Sequence, residues 1–192
     1  FATEDRVVAF ELADYDGNGS KDIAGIVPDS SEPVRLWLSK TTGNGLTMGP
    51  QISFEMPPLR EFCSVHLPNN KAARMAIIER ASRRIVLYKV EREAIDSAGD
   101  RDASIEIYPL LGKGTRKQLV ADVNNDGLLD LIATNPSDNT IVVYEQIPSE
   151  GLSTGVSSPT LSNVGSIAIG DVDKDGNDEF YVLSEDEGVV GR

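Results

Sequence analysis

Three nine-residue stretches repeat one arrangement of oxygen-bearing side chains: DYDGNGSKD from Asp14, DVNNDGLLD from Asp122 and DVDKDGNDE from Asp171. Each follows the pattern D-x-[D/N]-x-[D/N]-G-x-x-[D/E], so that positions one, three and five all carry side-chain oxygens. The glycine at position six permits a tight turn that brings these oxygens to one side of a loop. Calcium takes six to eight oxygen ligands, largely carboxylates and carbonyls. We therefore predict three calcium-binding loops and about three bound ions.

The residues that flank the loops separate them from EF-hands and dockerins. An EF-hand needs a bidentate Glu at position twelve and a helix on either side of the loop. Position twelve is instead Gly25, Ala133 and Val182, and β-rich segments flank each loop. The last acid stands at position nine, in Asp22, Asp130 and Glu179, and leads directly into an apolar segment.

A degenerate fourth copy lies between the first two loops. Residues 65–88 align without gaps to residues 121–144, with the apolar block IVLY matching IVVY. The first ligand, the third ligand, the glycine and the ninth-position acid are replaced in this copy by His66, Pro68, Lys71 and Arg74. Loop starts at 14, 66, 122 and 171 then give a repeat period of 49 to 56 residues.

Each repeat offers four β-rich segments around its loop. One apolar strand enters the loop, a second leaves it, a third follows a short polar turn, and a weaker fourth closes the unit, as in VVAFELA, DIAGIV, VRLWLS and QISFEM of the first repeat. Four strands per unit of about 50 residues are typical of propeller blades. We predict an all-β protein: one partial β-propeller over residues 1–192 with about three and a half four-stranded blades, near 6–56, 60–110, 116–162 and, incomplete, 164–192.

Local propensity opposes this assignment in the second repeat. Residues 71–85 and 89–98 have compositions that also suit a helix. The gapless alignment favours strands for the first segment. The second segment has no counterpart in the other repeats, and a helical turn there stays open.

The chain stops at Arg192, within the third strand of the fourth repeat, and starts at Phe1 without a Met. Three and a half blades would leave open strand edges, which invite aggregation. We expect closure by further chain, with another fragment or a symmetric partner subunit as alternatives.

The stretch ADVNNDGLLDLIATNPSDNTIVVY at residues 121–144 resembles the FG-GAP/VCBS repeat family, whose repeats form the blades of integrin α-subunit propellers. Residues 166–184 and 11–27 share the resemblance less fully. The family implies calcium loops that join the first two strands of each blade. It also implies side-chain ligands at positions one, three, five and nine, and a backbone carbonyl ligand at position seven. Carried over, the ligands are Asp14, Asp16, Asn18, Ser20 and Asp22; Asp122, Asn124, Asp126, Leu128 and Asp130; and Asp171, Asp173, Asp175, Asn177 and Glu179, with Asp178 as an alternative to Glu179.

Composition excludes several other classes of function. The formal net charge of −13 argues against non-specific binding to nucleic acid or anionic membranes. No run of 18 apolar residues is present, so we expect no insertion into a membrane. Cys63 is the single cysteine, which excludes an intrachain disulfide, and we expect it to be buried. His66 is the single histidine, which excludes a multi-histidine metal site, and we interpret it as the remnant of a ligand position.

The second repeat is locally basic, in contrast to the rest of the chain. Residues 65–92 contain seven cationic side chains against two acidic ones, namely Lys71, Arg74, Arg80, Arg83, Arg84, Lys89 and Arg92 against Glu79 and Glu91. One interpretation is a decayed loop in which Arg74 replaces the charge of the cation. The other is a basic face that docks an acidic protein, a neighbouring subunit or an anionic glycan.

These observations favour a non-enzymatic, calcium-stabilised propeller in an extracytoplasmic protein, serving as a scaffold or as an adhesion-type module that binds protein or glycan. Its expected partners are the remaining blades of the same propeller or a partner subunit. The alternatives are a propeller-type polysaccharide lyase or hydrolase with catalytic residues elsewhere, and a structural subunit of a surface or envelope complex. A fold of this kind does not by itself fix an activity.

Overall fold

The computed structural model describes residues 6–43, 45–90, 104–107, 114–148 and 150–192. Within these ranges the regular structure consists of antiparallel β-strands and no helix occurs, which confirms the predicted all-β class. The chain divides into two compact units. The first is Phe1–His66 with Asn70–Ala81 and Val86–Glu106, and the second is Leu67–Asn69 with Ser82–Ile85 and Ile107–Arg192.

The first unit begins with a four-stranded sheet in chain order, formed by β1 (Ala9–Ala13), β2 (Asp22–Ile26), β3 (Val34–Thr42) and β4 (Gly45–Phe54). The last two strands are longer than predicted because their hairpin continues past a bulge between Trp37 and Ser39 to the pair Thr42 and Gly45. Gly45 has a φ of 111°, a conformation that favours glycine and closes this hairpin.

The second sheet of this unit is also four-stranded and in chain order, with β5 (Leu59–Val65), β6 (Arg74–Glu79), β7 (Ile85–Lys89) and β8 (Ser104–Ile107). The segment with helix-compatible composition at 71–85 therefore contributes to two strands, as the alignment predicted. Burial explains why propensity is overridden here, since Arg74 to Ile78 are all buried on both faces of β6. The predicted helical turn, beyond Lys89 and Val90, and the end of the predicted fourth strand lie outside the described residues.

One apolar cluster joins the two sheets of the first unit. It includes Ile26 and Leu36 from the first sheet and Phe62, Met75 and Ile77 from the second. Full burial of such side chains contributes about 1.5–3 kcal/mol each relative to exposure. This cluster fixes the strands that carry the first loop.

The second unit contains a four-stranded sheet of β9 (Gln118–Ala121), β10 (Asp130–Asn135), β11 (Thr140–Tyr144) and β14 (Val156–Pro159). A small hairpin, β12 (Gln146–Ile147) and β13 (Gly151–Leu152), is inserted before β14 and was not predicted. The same unit ends in a three-stranded sheet of β15 (Val164–Gly170), β16 (Glu179–Ser184) and β17 (Val189–Gly191).

Strand register is the same around all four loops. In each of the four sheets that carry a loop, the ninth loop residue pairs with the residue just before the loop: Asp22 with Ala13, Arg74 with Val65, Asp130 with Ala121 and Glu179 with Gly170. Position four has a positive φ in all four loops, in Gly17, Asn69, Asn125 and Lys174, at 73°, 61°, 58° and 62°. At position four the degenerate loop shares the left-handed backbone of the other three, whereas Lys71 at position six does not adopt the positive φ of their glycines.

Candidate metal centres

The three acidic loops, which we call loops one, three and four after their repeats, occupy equivalent places in the fold. Each connects the first two strands of a sheet, and its ninth residue is the first residue of the second strand. The strand pairing therefore holds both ends of each loop together, and the loop folds back across the end of its hairpin.

The position-one carboxylate organises each loop through main-chain amides. In loop one, Asp14 accepts hydrogen bonds from the amides at positions five and six, Asn18 at 3.1 Å and Gly19 at 2.7 Å. The equivalent amides donate to Asp122 at 3.1 and 2.8 Å, and to Asp171 at 3.0 and 3.0 Å. The glycine at position six is required for its conformation, with φ of 84–94° in the three loops, and not for space, because no atom lies within 4 Å of the position that a Cβ would take.

Positions three and five form successive Asx turns. The side-chain oxygen of Asp16 accepts from the amide of Asn18 at 3.1 Å, and that of Asn18 from Ser20 at 2.7 Å. The matching distances are 3.0 and 2.8 Å for Asn124 and Asp126 in loop three, and 3.2 and 2.8 Å for Asp173 and Asp175 in loop four. The three loops share one hydrogen-bond scheme.

In loops one and three the position-nine carboxylate is buried and accepts hydrogen bonds from two main-chain amides. Asp22 is fully buried and accepts from the amide of Tyr15 and the amide of Ser39, both at 2.7 Å. Asp130 is equally buried and accepts from Val123 at 3.1 Å and Gln146 at 2.8 Å. Each carboxylate therefore ties its own loop to a more distant part of the chain, Ser39 within β3 and Gln146 two residues after β11.

Loop four differs at this position. Glu179 accepts from the amide of Val172 at 3.0 Å, as its counterparts do, but its other oxygen accepts from the guanidinium of Arg192 at 2.9 Å. The same guanidinium nitrogen lies 3.4 Å from Asp173. Glu179, and not its neighbour Asp178, holds the place equivalent to Asp22 and Asp130.

Two sets of carboxylates come together closely enough for one ion, among the residues that the structure describes. One ligand oxygen from each of Asp14, Asp16 and Asp22 lies within 4.8 Å of the others, and the same holds for Asp171, Asp173, Asp175 and Glu179. The carboxylates of loop three, Asp122, Asp126 and Asp130, do not form a third set of this kind. The donors in all three loops are oxygens, which fits a hard cation such as calcium and does not favour a soft metal.

Burial shapes the electrostatics of loop one. It raises the pKa of Asp22, and the amides of Ser39 and Tyr15 partly oppose that rise. A bound dication would favour the charged form of this carboxyl and act in the same direction as the amides.

The two side chains that replace the first and last ligands of the degenerate loop differ in burial. His66 is exposed, whereas Arg74, at position nine, is 8% exposed. Basic side chains of residues 65–92, which we call the basic segment, lie at both ends of β6. Lys71 and Arg74 are at the loop end, and Arg80 is at the other end, where it pairs with Asp29 at 3.2 Å. Glu91 and Arg92 of this segment lie outside the described residues.

A polar chain beside loop one carries no recognisable sequence signal. The ring of Tyr15, at position two, is fully buried, and its hydroxyl lies 2.7 Å from the hydroxyl of Ser64 on β5. The amide of Ser64 donates to Glu11 at 2.6 Å. Burial, the largest cause, raises the pKa of Tyr15 well above its usual range, and the charge of Glu11 adds to this. Position two is Val123 and Val172 in the other loops, so the repeat pattern gave no reason to select it.

Comparison with known proteins finds a family match over one part of the chain. Residues 122–182, which include loops three and four, match the FG-GAP-like repeat. A search of the curated proteins finds no match to the chain. No helix able to cross a membrane occurs in the part of the chain that the structure describes.

Proposed function

We propose that this chain, which carries an FG-GAP-like repeat, is part of a calcium-stabilised β-propeller that acts as a non-enzymatic scaffold or adhesion-type binding module outside the cytoplasm. The observation that carries the proposal is the shared hydrogen-bond scheme of loops one, three and four, in which oxygen-bearing side chains occupy the same four positions, and in loops one and four their carboxylates also come together. The match to the repeat supports it independently, because such repeats often bind calcium and are typically extracellular.

Calcium in this proposal is structural. The ligands would be the side chains at positions one, three, five and nine, and the backbone carbonyls of Ser20, Leu128 and Asn177 at position seven. A dication would relieve the repulsion among carboxylates held within 4.8 Å of one another in loops one and four. Three such ions would also reduce the formal net charge from −13 to −7, since each adds two positive charges.

The proposed propeller is supported by a difference in burial between equivalent residues of the first and second sheets. Phe62 of the second sheet pairs with Ile77 and is buried in the cluster shared with the first sheet. Phe10 occupies the equivalent place in the first sheet, pairs with Gly25 and is 68% exposed. Leu12 of β1 and Val8 just before it are also more than half exposed. We propose that a further blade, from the same propeller or a partner subunit, covers this face.

The basic segment suggests a ligand of opposite charge. Arg83 and Arg84 lie in the turn between β6 and β7, and Arg84 is exposed. We propose that this turn contacts an acidic protein or an anionic glycan. The variant Arg83→Glu/Arg84→Glu should lose retention on a heparin column at low ionic strength, and unchanged retention would contradict the idea.

The calcium proposal is tested by thermal unfolding in chelator and in about 10 mM calcium. Extracellular calcium modules bind at about 10⁻⁴–10⁻³ M, so each occupied site would contribute about 1.4–2.7 kcal/mol by mass action. Three sites would then contribute about 4–8 kcal/mol, and at about 2–4 °C per kcal/mol the melting temperature should rise by roughly 8–30 °C.

Magnesium at the same concentration is the matched control, because it favours a smaller octahedral site and retains its water ligands. It should raise the melting temperature much less than calcium does. A melting temperature that is the same in chelator and in calcium would contradict the proposal.

A further inference from the structure

We infer that loop one is the tightest of the three cation sites and that Tyr15 is the positioning residue that makes it so. This inference rests on the proposed calcium function and adds an order of affinity to it. The three loops share a ligand pattern, so the difference must come from what holds each loop in place.

Tyr15 lies between two proposed ligands, Asp14 and Asp16, and is anchored at both its ends. Its amide donates to Asp22 at 2.7 Å, and its hydroxyl lies 2.7 Å from that of Ser64 on the neighbouring sheet. Its ring belongs to the apolar cluster that joins the two sheets of the first unit. The backbone on either side of Tyr15 is therefore fixed before any cation arrives.

A second set of contacts comes from the degenerate loop of the next repeat. The carbonyl of Asp14 accepts a hydrogen bond from the amide of Ala73 at 2.7 Å. A Cβ placed on Gly17 would lie 3.2 Å from the Cβ of Lys71, so the two loops are packed against each other. The degenerate loop lacks the acidic ligands, so its packing against loop one does not depend on a cation bound to the degenerate loop itself.

Further along loop one, the position-five ligand is held as well. The side-chain amide of Asn18 donates to the carbonyl of Ser39 at 2.8 Å. This bond directs the remaining oxygen of Asn18 toward the loop, where it accepts from Ser20.

Loops three and four have fewer such anchors. Val172, at position two of loop four, is 66% exposed, and Val123 at the same position of loop three is only partly buried. A hydrogen bond between exposed side chains, from Asn125 to Asn177 at 2.7 Å, links these two loops. Both loops must therefore lose more freedom when a cation binds.

Charge alone would favour loop four, because it offers four ligand carboxylates and loop one offers three. Arg192 opposes that advantage, since its guanidinium already engages Glu179 and Asp173. Ordering the backbone of one additional residue lowers affinity by about five- to thirtyfold. Rigidity therefore outweighs one partly neutralised charge, and loop one should fill first.

The test is a calcium titration of protein labelled with ¹⁵N-glycine and followed by NMR. The amides of Gly19, Gly127 and Gly176 each donate to the position-one carboxylate of their own loop, so each reports its own site. We expect the Gly19 signal to reach half its change at a calcium concentration at least about fivefold below the other two.

Two variants test the role of Tyr15. Tyr15→Phe removes only the hydroxyl, and Ser64→Ala removes the hydrogen-bond partner of that hydroxyl on β5. Each variant should raise the calcium concentration at which the Gly19 signal is half-changed by about two- to tenfold, and should leave the values for Gly127 and Gly176 unchanged. The double variant should raise the Gly19 value little beyond that of either single variant. Tyr88→Phe is the matched control, because Tyr88 belongs to the same apolar cluster but lies on β7, outside the three acidic loops. It should leave all three signals as in the wild type.

The outcomes separate the two proposals. If none of the three glycine signals responds to calcium, the calcium function itself fails. If all three respond but Gly19 does not respond first, the order of affinity is overturned. If Tyr15→Phe and Ser64→Ala shift all three signals equally, or shift none, Tyr15 is not a positioning residue of loop one.

Discussion

Asp130 has two separable tasks, and replacing it with Asn should disturb both. Its carboxylate accepts hydrogen bonds from the amides of Val123 and Gln146 inside the sheet, and it is also a proposed calcium ligand of loop three. Asp130→Asn keeps the size of the side chain. It leaves only one accepting oxygen and turns an NH₂ group toward one of the two amide donors.

The magnitude follows from burial. Asp130 is fully buried, so water cannot replace the lost acceptor. A hydrogen bond to a charged group contributes about 1.5–3 kcal/mol, and a neutral one about 0.5–1.5 kcal/mol. Losing one charged bond and weakening the other should reduce the free energy of unfolding by about 2–4 kcal/mol in chelator. The corresponding fall in melting temperature is roughly 5–15 °C.

Asp126→Asn is the matched control for Asp130→Asn. Asp126 is exposed, and its oxygen accepts from the amide of Leu128 as that of Asn18 does from Ser20 in loop one. Asn is therefore already accommodated at this position, and the variant should keep its stability in chelator within about 0.5 kcal/mol. It should lose part of the stabilisation by calcium, because a ligand charge is removed.

The assay is denaturant unfolding followed by circular dichroism, in chelator and in calcium, for the wild type and both variants. If Asp130→Asn were as stable as the wild type in chelator, the hydrogen bonds to this carboxylate would not stabilise the fold as proposed. An equal loss in chelator for Asp126→Asn would show that the two positions do not differ as their burial requires.

Three further predictions concern the degenerate loop and the buried side chains. Asn69→Ala should be about 1 kcal/mol less stable than Asn69→Gly in denaturant unfolding, because the φ of 61° disfavours a Cβ; equal stabilities would contradict this. Burial raises the pKa of Tyr144 to about 12, above the value near 10 expected in the unfolded chain. The folded form thus holds the phenolic proton more tightly, so the contribution of Tyr144 to the free energy of unfolding should be fully present below about pH 10 and decrease as the pH rises toward 12. The decrease should be less steep in Tyr144→Phe. Cys63 is buried and its pKa is raised by burial, so a thiol reagent at pH 8 should label it only when denaturant unfolds the chain, and rapid labelling of the folded protein would contradict its placement.

The repeat and its loops were predictable because their determinants are local. The ninth-position acids were expected to lead into strands, and Asp22, Asp130 and Glu179 each begin one. The match of Asn69 to Asn125, made from the aligned residues alone, is confirmed by their left-handed backbones. A fixed spacing within nine residues contains enough information to define such a loop.

Other parts of the site depend on residues distant in the chain. The bonds from Ser39 to Asp22 and from Gln146 to Asp130 join residues 17 and 16 positions apart, outside the motif. The link from Tyr15 to Ser64 spans 49 positions and departs from the pattern of the other loops. The hairpin that begins at Gln146 was also missed, because two-residue strands leave no periodic signal.

The central claim is that three of the four equivalent loops hold calcium and that the degenerate loop holds none. Isothermal titration of the chelator-treated chain with calcium tests it most directly, because it counts the ions bound per chain. We expect three ions, falling to two in a variant that combines Asp14→Ala with Asp16→Ala. A chain that binds no calcium, or that keeps three ions after those substitutions, would contradict the claim.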